Sequence, residues 1–568
     1  MYVNKQDLLS IAALCVIFFS VAAWNLGERQ VPLTAWQVNG SQTFYIDFGE
    51  AQSVGTVYML VKNGSATVQV YTGSPGSWSF RGNLSLKYPF AYYDWNKIEV
   101  NSETRYVRFK FEQASAEILE LAVLGQANQK LSIAAVNGED SIGEGLQKLV
   151  DEQALVQVPP TYMSETYFDE VYFARTAENY LRLEQPYEWT HPPLGKLIQA
   201  AGIALFGYSP FGWRVMGVIA ATLMIPVLYM LGKTLFESWI GGFTAAFLLT
   251  FDFMHFTMAR MGTADTYVVL FSLASQLFFL LYLKNVLKSG WGTSVKPLFW
   301  AILFFALGFA TKWIVLYGFA AQLAILAALR LREVAKLDKG LTGKLYAFTD
   351  PPFATVVAFL LLAILVYFLT YIPDILAGRS IVNVLGLQGG MLNYHATLTA
   401  SHPFSSPWWT WPLLLRPVWL YVSYLPLNVK STIVLLGNPA VWWIGFACII
   451  GIAIFAVNRF RKAAERRIHA VGLPALFILA FFFFQWLPYV LISRVTFLYH
   501  FYVNVPFLCL AAAYFISTYW SNRWVKVAAM AYFASTVALF ALFYPVISGR
   551  PASTSFIDSL KWLNGWVF

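Results

Sequence analysis

The chain contains little charge and almost no cysteine. Only 12% of its 568 residues are charged, whereas 58% are hydrophobic and 18% aromatic, which excludes an ordinary soluble globular protein. The three cysteines, Cys15, Cys448 and Cys509, all lie in hydrophobic runs. We therefore expect no disulfide in the regions outside the membrane, and cysteine offers neither a metal site nor a redox site. The sequence also lacks internal repeats of the soluble type and low-complexity tracts.

Long hydrophobic runs are abundant. Most approach twenty residues, enough for a helix to cross a hydrocarbon core of roughly 30 Å. The pattern predicts a polytopic α-helical membrane protein with about eleven transmembrane helices. We place them at 8–25, 212–232, 239–256, 265–283, 298–311, 313–330, 353–371, 432–457, 471–490, 499–519 and 526–545.

The basic residues are not spread evenly. A net charge of +9 would suit nucleic-acid binding if it formed a patch, but it gathers in three short loops. These contain Lys284, Lys288 and Lys296; Arg330, Arg332, Lys336, Lys339 and Lys344; and Arg459, Arg461, Lys462, Arg466 and Arg467. Eleven spans put these loops on one side, which the positive-inside rule makes cytoplasmic. The N-terminus is then cytoplasmic, residues 26–211, 372–431 and 546–568 face outward, and no nucleic-acid partner is expected.

The stretch after the first span differs from the rest. Asn63-Gly64 between two apolar runs predicts a hairpin, and the alternation over 105–111 predicts a half-buried strand. We expect an extracytoplasmic β-sandwich, which resembles discoidin-like jelly rolls and serves either as a spacer or as a glycan-binding module. The predicted domains are 1–26, a retained first helix; 27–128, the sandwich; 129–165, a linker; and 166–568, a membrane domain with a long external loop at 372–431 and a C-terminal four-helix part at 432–568.

A pair of acids, Asp169-Glu170, opens the membrane domain and precedes Thr190-His191-Pro192-Pro193-Leu194-Gly195-Lys196. On a helix, adjacent side chains diverge by about 100°, so the two acids are expected to have different tasks. Acids, a histidine and a lysine on irregular backbone at a membrane face favour a reaction at the bilayer surface. The alternative is solvated acids, or helix capping, beside an interfacial turn.

Other polar residues lie at the outward ends of the spans. An arginine binds phosphate with two hydrogen bonds and is always charged, so Arg214 suits a lipid-linked phosphate. Arg260 and Asp265 are either functional or a structural ion pair, since charges near hydrocarbon are costly. The external loop adds His402, Trp408, Trp409, Trp411 and Arg416. Its tryptophans are typical of an interfacial aromatic belt, or of stacking on a sugar or a polyprenyl chain.

The chain resembles the protein O-mannosyltransferases, which have the glycosyltransferase-C superfold. The matching elements follow one another over 160–568, roughly seven-tenths of the chain. They are 169–170, 190–196, 211–214, 259–260 with 265, 310–313, 400–403, 408–412, 415–417 and 437–443. The eukaryotic members carry an inserted MIR domain that 372–431 is too short to contain, so the resemblance is to a bacterial-type member.

This resemblance implies inverting transfer of mannose from a polyprenyl phosphate to Ser or Thr hydroxyls of extracytoplasmic proteins. It makes Asp169 the catalytic base and Glu170 a group that orients acceptor or sugar. Arg214 becomes the donor-phosphate ligand, assisted by Arg260, Lys312 or Arg494. The expected substrate-binding residues are His191, Lys196, Asp265, His402, Trp408, Trp409, Trp411 and Arg416.

The expected partners are the lipid-linked donor, the acceptor protein and membrane lipids, with neither cofactor nor metal. A divalent ion held by Asp169, Glu170 and Asp265 is the alternative to metal independence. Two other functions stay open at this point. One is transfer from a polyprenyl phosphate to a lipid or glycan acceptor, and the other is a transporter or receptor with a glycan-binding ectodomain.

Overall fold

The computed structural model describes residues 3–87, 92–139, 145–349, 353–462 and 472–568; of the predicted basic loops, Arg466 and Arg467 lie outside this range. The strands are β1 Trp36–Ser74, β2 Ser77–Leu86, β3 Tyr92–Gly125, β4 Lys130–Leu131, β5 Ala135–Gly138, β6 Val418–Leu425, β7 Val429–Leu435 and β8 Ala552–Ser553. The helices are α1 Lys5–Ala23, α2 Glu170–Leu181, α3 Leu194–Phe206, α4 Pro210–Phe236, α5 Trp239–Thr250, α6 Phe253–Arg260, α7 Asp265–Ser289, α8 Lys296–Phe309, α9 Val315–Ala335, α10 Leu341–Thr349, α11 Phe353–Leu369, α12 Ile372–Leu376, α13 Ile381–Thr397, α14 Pro439–Lys462, α15 Leu473–Trp486, α16 Val505–Thr518, α17 Arg523–Ser548 and α18 Thr554–Ser559.

The apolar helices confirm a polytopic membrane protein but not the count of eleven. Nine helical stretches in the described residues are long and apolar enough to cross a membrane. A tenth is a pair, α5 and α6, bent by 57°. Helix α8 has only 14 residues. The predicted span 432–457 begins too early, because β7 runs to Leu435 and α14 starts at Pro439.

The first helix is fixed to the fourth at the end opposite to the β-rich region. Asn4 and Asp7 cap each other's backbone at the start of α1, with bonds of 2.8 and 2.9 Å. The buried Asp7 carboxylate also accepts from Tyr229 Oη at 2.8 Å and from Lys233, both on α4. Because an unpaired charge here would be costly, this pairing fixes how deep α1 sits beside α4.

The β-rich region predicted after the first helix is confirmed. Its sheet has the antiparallel order β2-β1-β3-β4, with β5 on β1. Strands β1 and β3 are long and bent, so Phe109 pairs with both Phe44 and Val70. The predicted Asn63-Gly64 hairpin is wrong, because β1 continues through it. A Cβ on Gly64 would lie 2.2 Å from the Ser115 carbonyl oxygen, so glycine is needed there for close strand approach.

The β-rich region packs directly on the outward part of the membrane domain. Tyr93 lies edge-on to Trp213 of α4, with ring centroids 5.5 Å apart. Lys62 of β1 pairs with Glu178 of α2 at 2.8 Å, and Tyr92 also donates to Glu178. The predicted linker contains three short 3₁₀ turns, Leu146–Leu149, Gln153–Leu155 and Tyr162–Ser164. The strands therefore sit against the segment that carries Asp169.

Candidate active site

Asp169 lies at the start of α2 with a free carboxylate. Phe168 before it has φ 50°, a left-handed conformation that costs energy for a non-glycine residue and is often found at functional sites. Within the described ranges, no protein group donates a hydrogen bond to the Asp169 side chain. Burial raises the pKa of Asp169 to about 7, with Asp265 and Glu188 adding to the rise and Lys312 opposing it. A carboxyl group with such a pKa can accept a proton near neutral pH.

Glu170 and Arg214 form an ion pair with no solvent exposure. Arg214 Nε and Nη2 donate to the two Glu170 oxygens at 2.8 and 2.7 Å. Its remaining protons go to the carbonyls of Leu26, Tyr162 and Glu165. All five guanidinium N–H groups are therefore used within the protein. The prediction that Arg214 binds the donor phosphate is wrong for this geometry, because the group has no donor left to offer.

Glu170 is equally committed. Besides Arg214 it accepts from the backbone N–H of Gly262 at 2.8 Å and of Tyr167 at 3.3 Å. It therefore orients protein, not acceptor or sugar. A metal held jointly by Asp169, Glu170 and Asp265 does not fit either, since the Glu170 oxygens are occupied and Asp265 pairs with Lys312 at 2.8 Å.

Arg260 also serves the fold. Its Nη1 donates to the carbonyls of Ala22 and Trp24 at 2.7 Å, and its Nη2 to that of Asn25 at 2.7 Å. The Arg260 side chain thus caps the C-terminal end of α1 by donating to its last backbone carbonyls and those just after it. It forms no ion pair with Asp265 in the described part of the chain, and it does not open into a cavity on the side of Asp265. Its contacts therefore do not support the predicted role in binding phosphate.

The Thr190–Lys196 motif folds around a buried carboxylate that the sequence analysis missed, Glu188. Lys196 Nζ donates to Glu188 Oε2 at 2.5 Å and to the carbonyls of Glu188 and His191 at 2.9 and 2.7 Å. Burial would raise the pKa of Glu188, but Lys196 and His191 outweigh it and hold the pKa well below its usual range. Lys196 is 1% exposed; it fixes the loop and does not reach a substrate.

A cavity of about 490 Å³ opens between this loop, the start of α9 and the segment before α16. Lys312 and Arg494 line it together with three imidazoles. Lys312 is paired with Asp265, whereas the Arg494 guanidinium has no protein acceptor in the described parts of the chain. The remaining lining residues are Thr190, His191, Pro192, Trp313, Ile314, Leu316, Tyr317, Leu392, His395, Ala396, Tyr489, Leu491, Ile492, Ser493 and His500. Asp169 is not among these lining residues, but the charge of Lys312 acts on its carboxylate.

A second, apolar cavity of about 400 Å³ adjoins the first one, and Trp313 and Leu316 line both. Its walls come from α8, α9, α11 and α13, with Phe305, Leu360 and Ile364 among them. Two of these helices, α9 and α11, belong to stretches long and apolar enough to cross a membrane. A charged cavity next to an apolar groove matches the two parts of an anionic lipid, its charged headgroup and its hydrocarbon chain.

The predicted residues of the external loop are mostly structural. The Trp411 ring is buried and stacks on His500 at 6.0 Å, so it supports a cavity wall instead of offering a face to sugar. Trp408 packs on Trp486 at 5.2 Å. His402 packs edge-on to Phe168 at 6.3 Å, next to Asp169.

Two of the predicted residues of this loop, Trp409 and Arg416, lie at the surface. Trp409 is 53% exposed, as expected of an interfacial aromatic belt. Arg416 is exposed and donates to the Pro403 carbonyl at 2.5 Å. Neither lines the two cavities described above.

Three residues of this region were not predicted, two in the cavity lining and one behind it. His395 and His500 line the cavity and are among the chain's six histidines; His500 stands at the outward end of a predicted span, and His395 in the predicted external loop. Glu188 stands three residues before His191, but no spacing rule marks a lone glutamate. Its role depends on Lys196 folding back onto it.

Two sequence profiles match the chain. The profile of "Dolichyl-phosphate-mannose-protein mannosyltransferase" matches residues 190–349. That of the "C-terminal four TMM region of protein-O-mannosyltransferase" matches residues 380–566. Together they cover more than half of the chain.

Curated relatives agree with the profiles. The chain is 24% identical over 322 residues to the polyprenol-phosphate-mannose–protein mannosyltransferase of Mycolicibacterium smegmatis, covering 47% of this chain and 60% of that protein. It is 25% identical over 311 residues to the enzyme of the same name from Corynebacterium glutamicum, covering 46% and 59%. The matched region thus spans about three fifths of the length of these relatives.

Among solved structures, the S. cerevisiae Pmt1-Pmt2 protein O-mannosyltransferase complex bound to the sugar donor is similar. The TM-score is 0.59 at 14% identity, over 71% of this chain and 89% of that one. This confirms the glycosyltransferase-C type of membrane fold that the resemblance implied. With its apolar helices, the protein is an integral membrane protein. The chain belongs to the protein O-mannosyltransferase family.

Proposed function

We propose that this protein transfers mannose from a polyprenyl-phosphate-mannose donor to Ser or Thr hydroxyls of extracytoplasmic proteins, with inversion at the sugar carbon. The observation that carries the proposal is the free Asp169 carboxylate, with a pKa of about 7, on which the charge of the cavity residue Lys312 acts. The relatives named above act on such a donor and on proteins.

Asp169 acts as the general base. Its carboxylate removes the hydroxyl proton as the Ser or Thr oxygen attacks the sugar carbon. The bond from that carbon to the phosphate oxygen breaks at the same time, and polyprenyl phosphate leaves. A hydroxyl is a poor nucleophile until its proton is lost, and one well-placed base contributes 10²–10⁴-fold.

Lys312 and Arg494 hold the donor phosphate. The leaving group is already stable as an anion and needs cationic stabilisation more than a general acid. Arg494 has its guanidinium free for a phosphate, and Lys312 adds a second charge beside Asp169. We propose that these two cations suffice without a metal or other cofactor. The apolar groove shared through Trp313 and Leu316 receives the first isoprene units of the donor.

The site faces outward in this proposal. Helix α7 begins with Asp265, which pairs with the cavity residue Lys312, and ends at Ser289, in one of the basic loops. Helix α9 likewise begins beside Lys312 and ends at Ala335, in another. The basic loops therefore lie at the opposite ends of the helices from the site. The positive-inside rule makes those ends cytoplasmic, which puts the N-terminus inside and the site, the β-rich region and the C-terminus outside.

The test uses purified protein in lipid nanodiscs, synthetic polyprenyl-phosphate-mannose and a Ser/Thr peptide. The wild type is expected to add one hexose to the peptide, detected by mass spectrometry. Asp169→Asn is expected to lose at least 10²-fold of the turnover while it still binds the donor. Asp558→Asn, which removes an exposed surface carboxylate paired with Lys561, is the matched control and keeps wild-type transfer.

Two results would contradict the proposal. Near-normal transfer by Asp169→Asn would refute the base assignment. Hexose appearing on a lipid or glycan fraction, with the peptide unmodified, would show that the acceptor is not protein.

A further inference from the structure

Glu188 fixes which nitrogen of His191 carries the proton. His191 Nδ1 lies 3.1 Å from Glu188 Oε1, and the same carboxylate is held by Lys196 and by the Thr190 backbone N–H at 2.8 Å. An ionised carboxylate only accepts hydrogen bonds, so Nδ1 must be the donor. Such a bond to one ring nitrogen sets the state of the other.

The other nitrogen faces the cavity. No group in the described stretches hydrogen-bonds His191 Nε2, and the side chain, 21% exposed, lines the cavity with Lys312 and Arg494. Burial lowers the pKa of His191 although Glu188 opposes this, which keeps the ring neutral. The cavity thus contains two cationic donors and, on His191, a neutral nitrogen with a lone pair.

These groups suit different parts of the donor. Cations attract the phosphate, whereas a lone pair would repel phosphate oxygens and needs a ligand that donates a proton. We propose that His191 Nε2 accepts a hydrogen bond from one hydroxyl of the donor's sugar, and that Glu188 is a positioning residue that holds His191 in the required tautomer. This inference rests on the proposed function, in which Asp169 takes the hydroxyl of the acceptor. Glu188 does not line the cavity, so it reaches the donor sugar only through His191.

The first experiment compares the full mannosyl donor with donors that lack one sugar hydroxyl each. For the wild type, one of these deoxy donors is expected to lose about tenfold in kcat/KM, the size of one hydrogen bond. His191→Phe is expected to treat that donor and the full donor alike. His191→Gln, whose amide oxygen can replace the lone pair, is expected to recover part of the preference. Because each ratio is measured within one variant, partial misfolding cancels.

The second experiment follows the tautomer by NMR with ¹⁵N-labelled histidine. The wild type is expected to show His191 with the proton fixed on Nδ1. Glu188→Gln is expected to show a mixture of tautomers and a weakened preference for the same hydroxyl. Glu178→Gln removes another carboxylate buried beside a lysine, Lys62, but away from the cavity. This control loses the contacts of Glu178 with Lys62, Arg182 and Tyr92 and is expected to keep both the tautomer and the preference.

The outcomes test the hydroxyl contact of His191 and the positioning role of Glu188 separately. A His191→Phe enzyme that transfers sugar with the full wild-type preference overturns the hydroxyl contact. A Glu188→Gln enzyme with an unchanged tautomer overturns the positioning role. A wild type that transfers sugar from none of these donors overturns the proposed function, and the inference with it.

Discussion

The buried ion pair of Glu170 and Arg214 gives the sharpest test of whether Arg214 stabilises the fold or binds the donor phosphate. Both side chains have 0% exposure. Removing one partner leaves the other as an uncompensated buried charge, which typically costs about 3–5 kcal/mol. Arg214→Met is therefore expected to destabilise the protein by that amount, because Glu170 stays charged and Arg214 no longer ties down three carbonyls.

The corresponding change in melting temperature follows from chain length. An unfolding entropy of about 2 cal/mol/K per residue over 568 residues gives about 1.2 kcal/mol/K, so Tm is expected to fall by about 3–4 °C if the chain unfolds as one unit. Glu170→Gln keeps a side-chain acceptor for Gly262 but removes the charge. The double variant of Glu170→Gln and Arg214→Met buries no charge and is expected to melt above Arg214→Met alone.

The assay is thermal unfolding in nanodiscs at a fixed scan rate, since membrane proteins often unfold irreversibly. Donor affinity is measured well below the melting range. The reasoning would be refuted if Arg214→Met kept the wild-type Tm and weakened donor binding tenfold or more. That result would make Arg214 a phosphate ligand, as the resemblance implied.

Four further predictions concern the site. Transfer is expected to rise with pH and level off above about 7, the pKa of Asp169, because only the ionised carboxylate accepts a proton; a rate–pH profile that falls over this range would contradict the base role. Lys312→Gln is expected to move that rise to higher pH, since Lys312 lowers the pKa of Asp169. Arg494→Gln is expected to raise the Kd for the donor about 10–100-fold, the value of a charge-assisted hydrogen bond, as measured by titration with polyprenyl-phosphate-mannose. Chelation with EDTA is expected to leave initial rates unchanged, and a loss that Mg²⁺ or Mn²⁺ restores would show a metal.

Much of the architecture follows from local pattern. Hydrophobic runs of membrane-spanning length predict most of the helices, because no other backbone conformation except a closed barrel satisfies its hydrogen bonds in lipid. The sequence predicts the bent and short elements less well. The α5–α6 bend and the fourteen-residue α8 depend on neighbours that bury their ends, and β6 and β7 depend on pairing with each other.

The sequence by itself determined that this is a polytopic membrane protein with a β-rich region before an Asp-Glu pair, and its motifs carried the resemblance that implied the glycosyltransferase-C type. Those features depend on composition, run length and the order of short motifs. Only the tertiary structure decided what each charged residue does. In the sequence, Arg214, Arg260 and Lys196 look like substrate ligands. In the structure, the N–H groups of each donate to oxygen atoms within the protein. In the part of the chain that the structure describes, the side chains of Arg494 and Asp169 make no such contact. A side chain's availability depends on which distant segments fold against it, and neither spacing nor residue type carries that information.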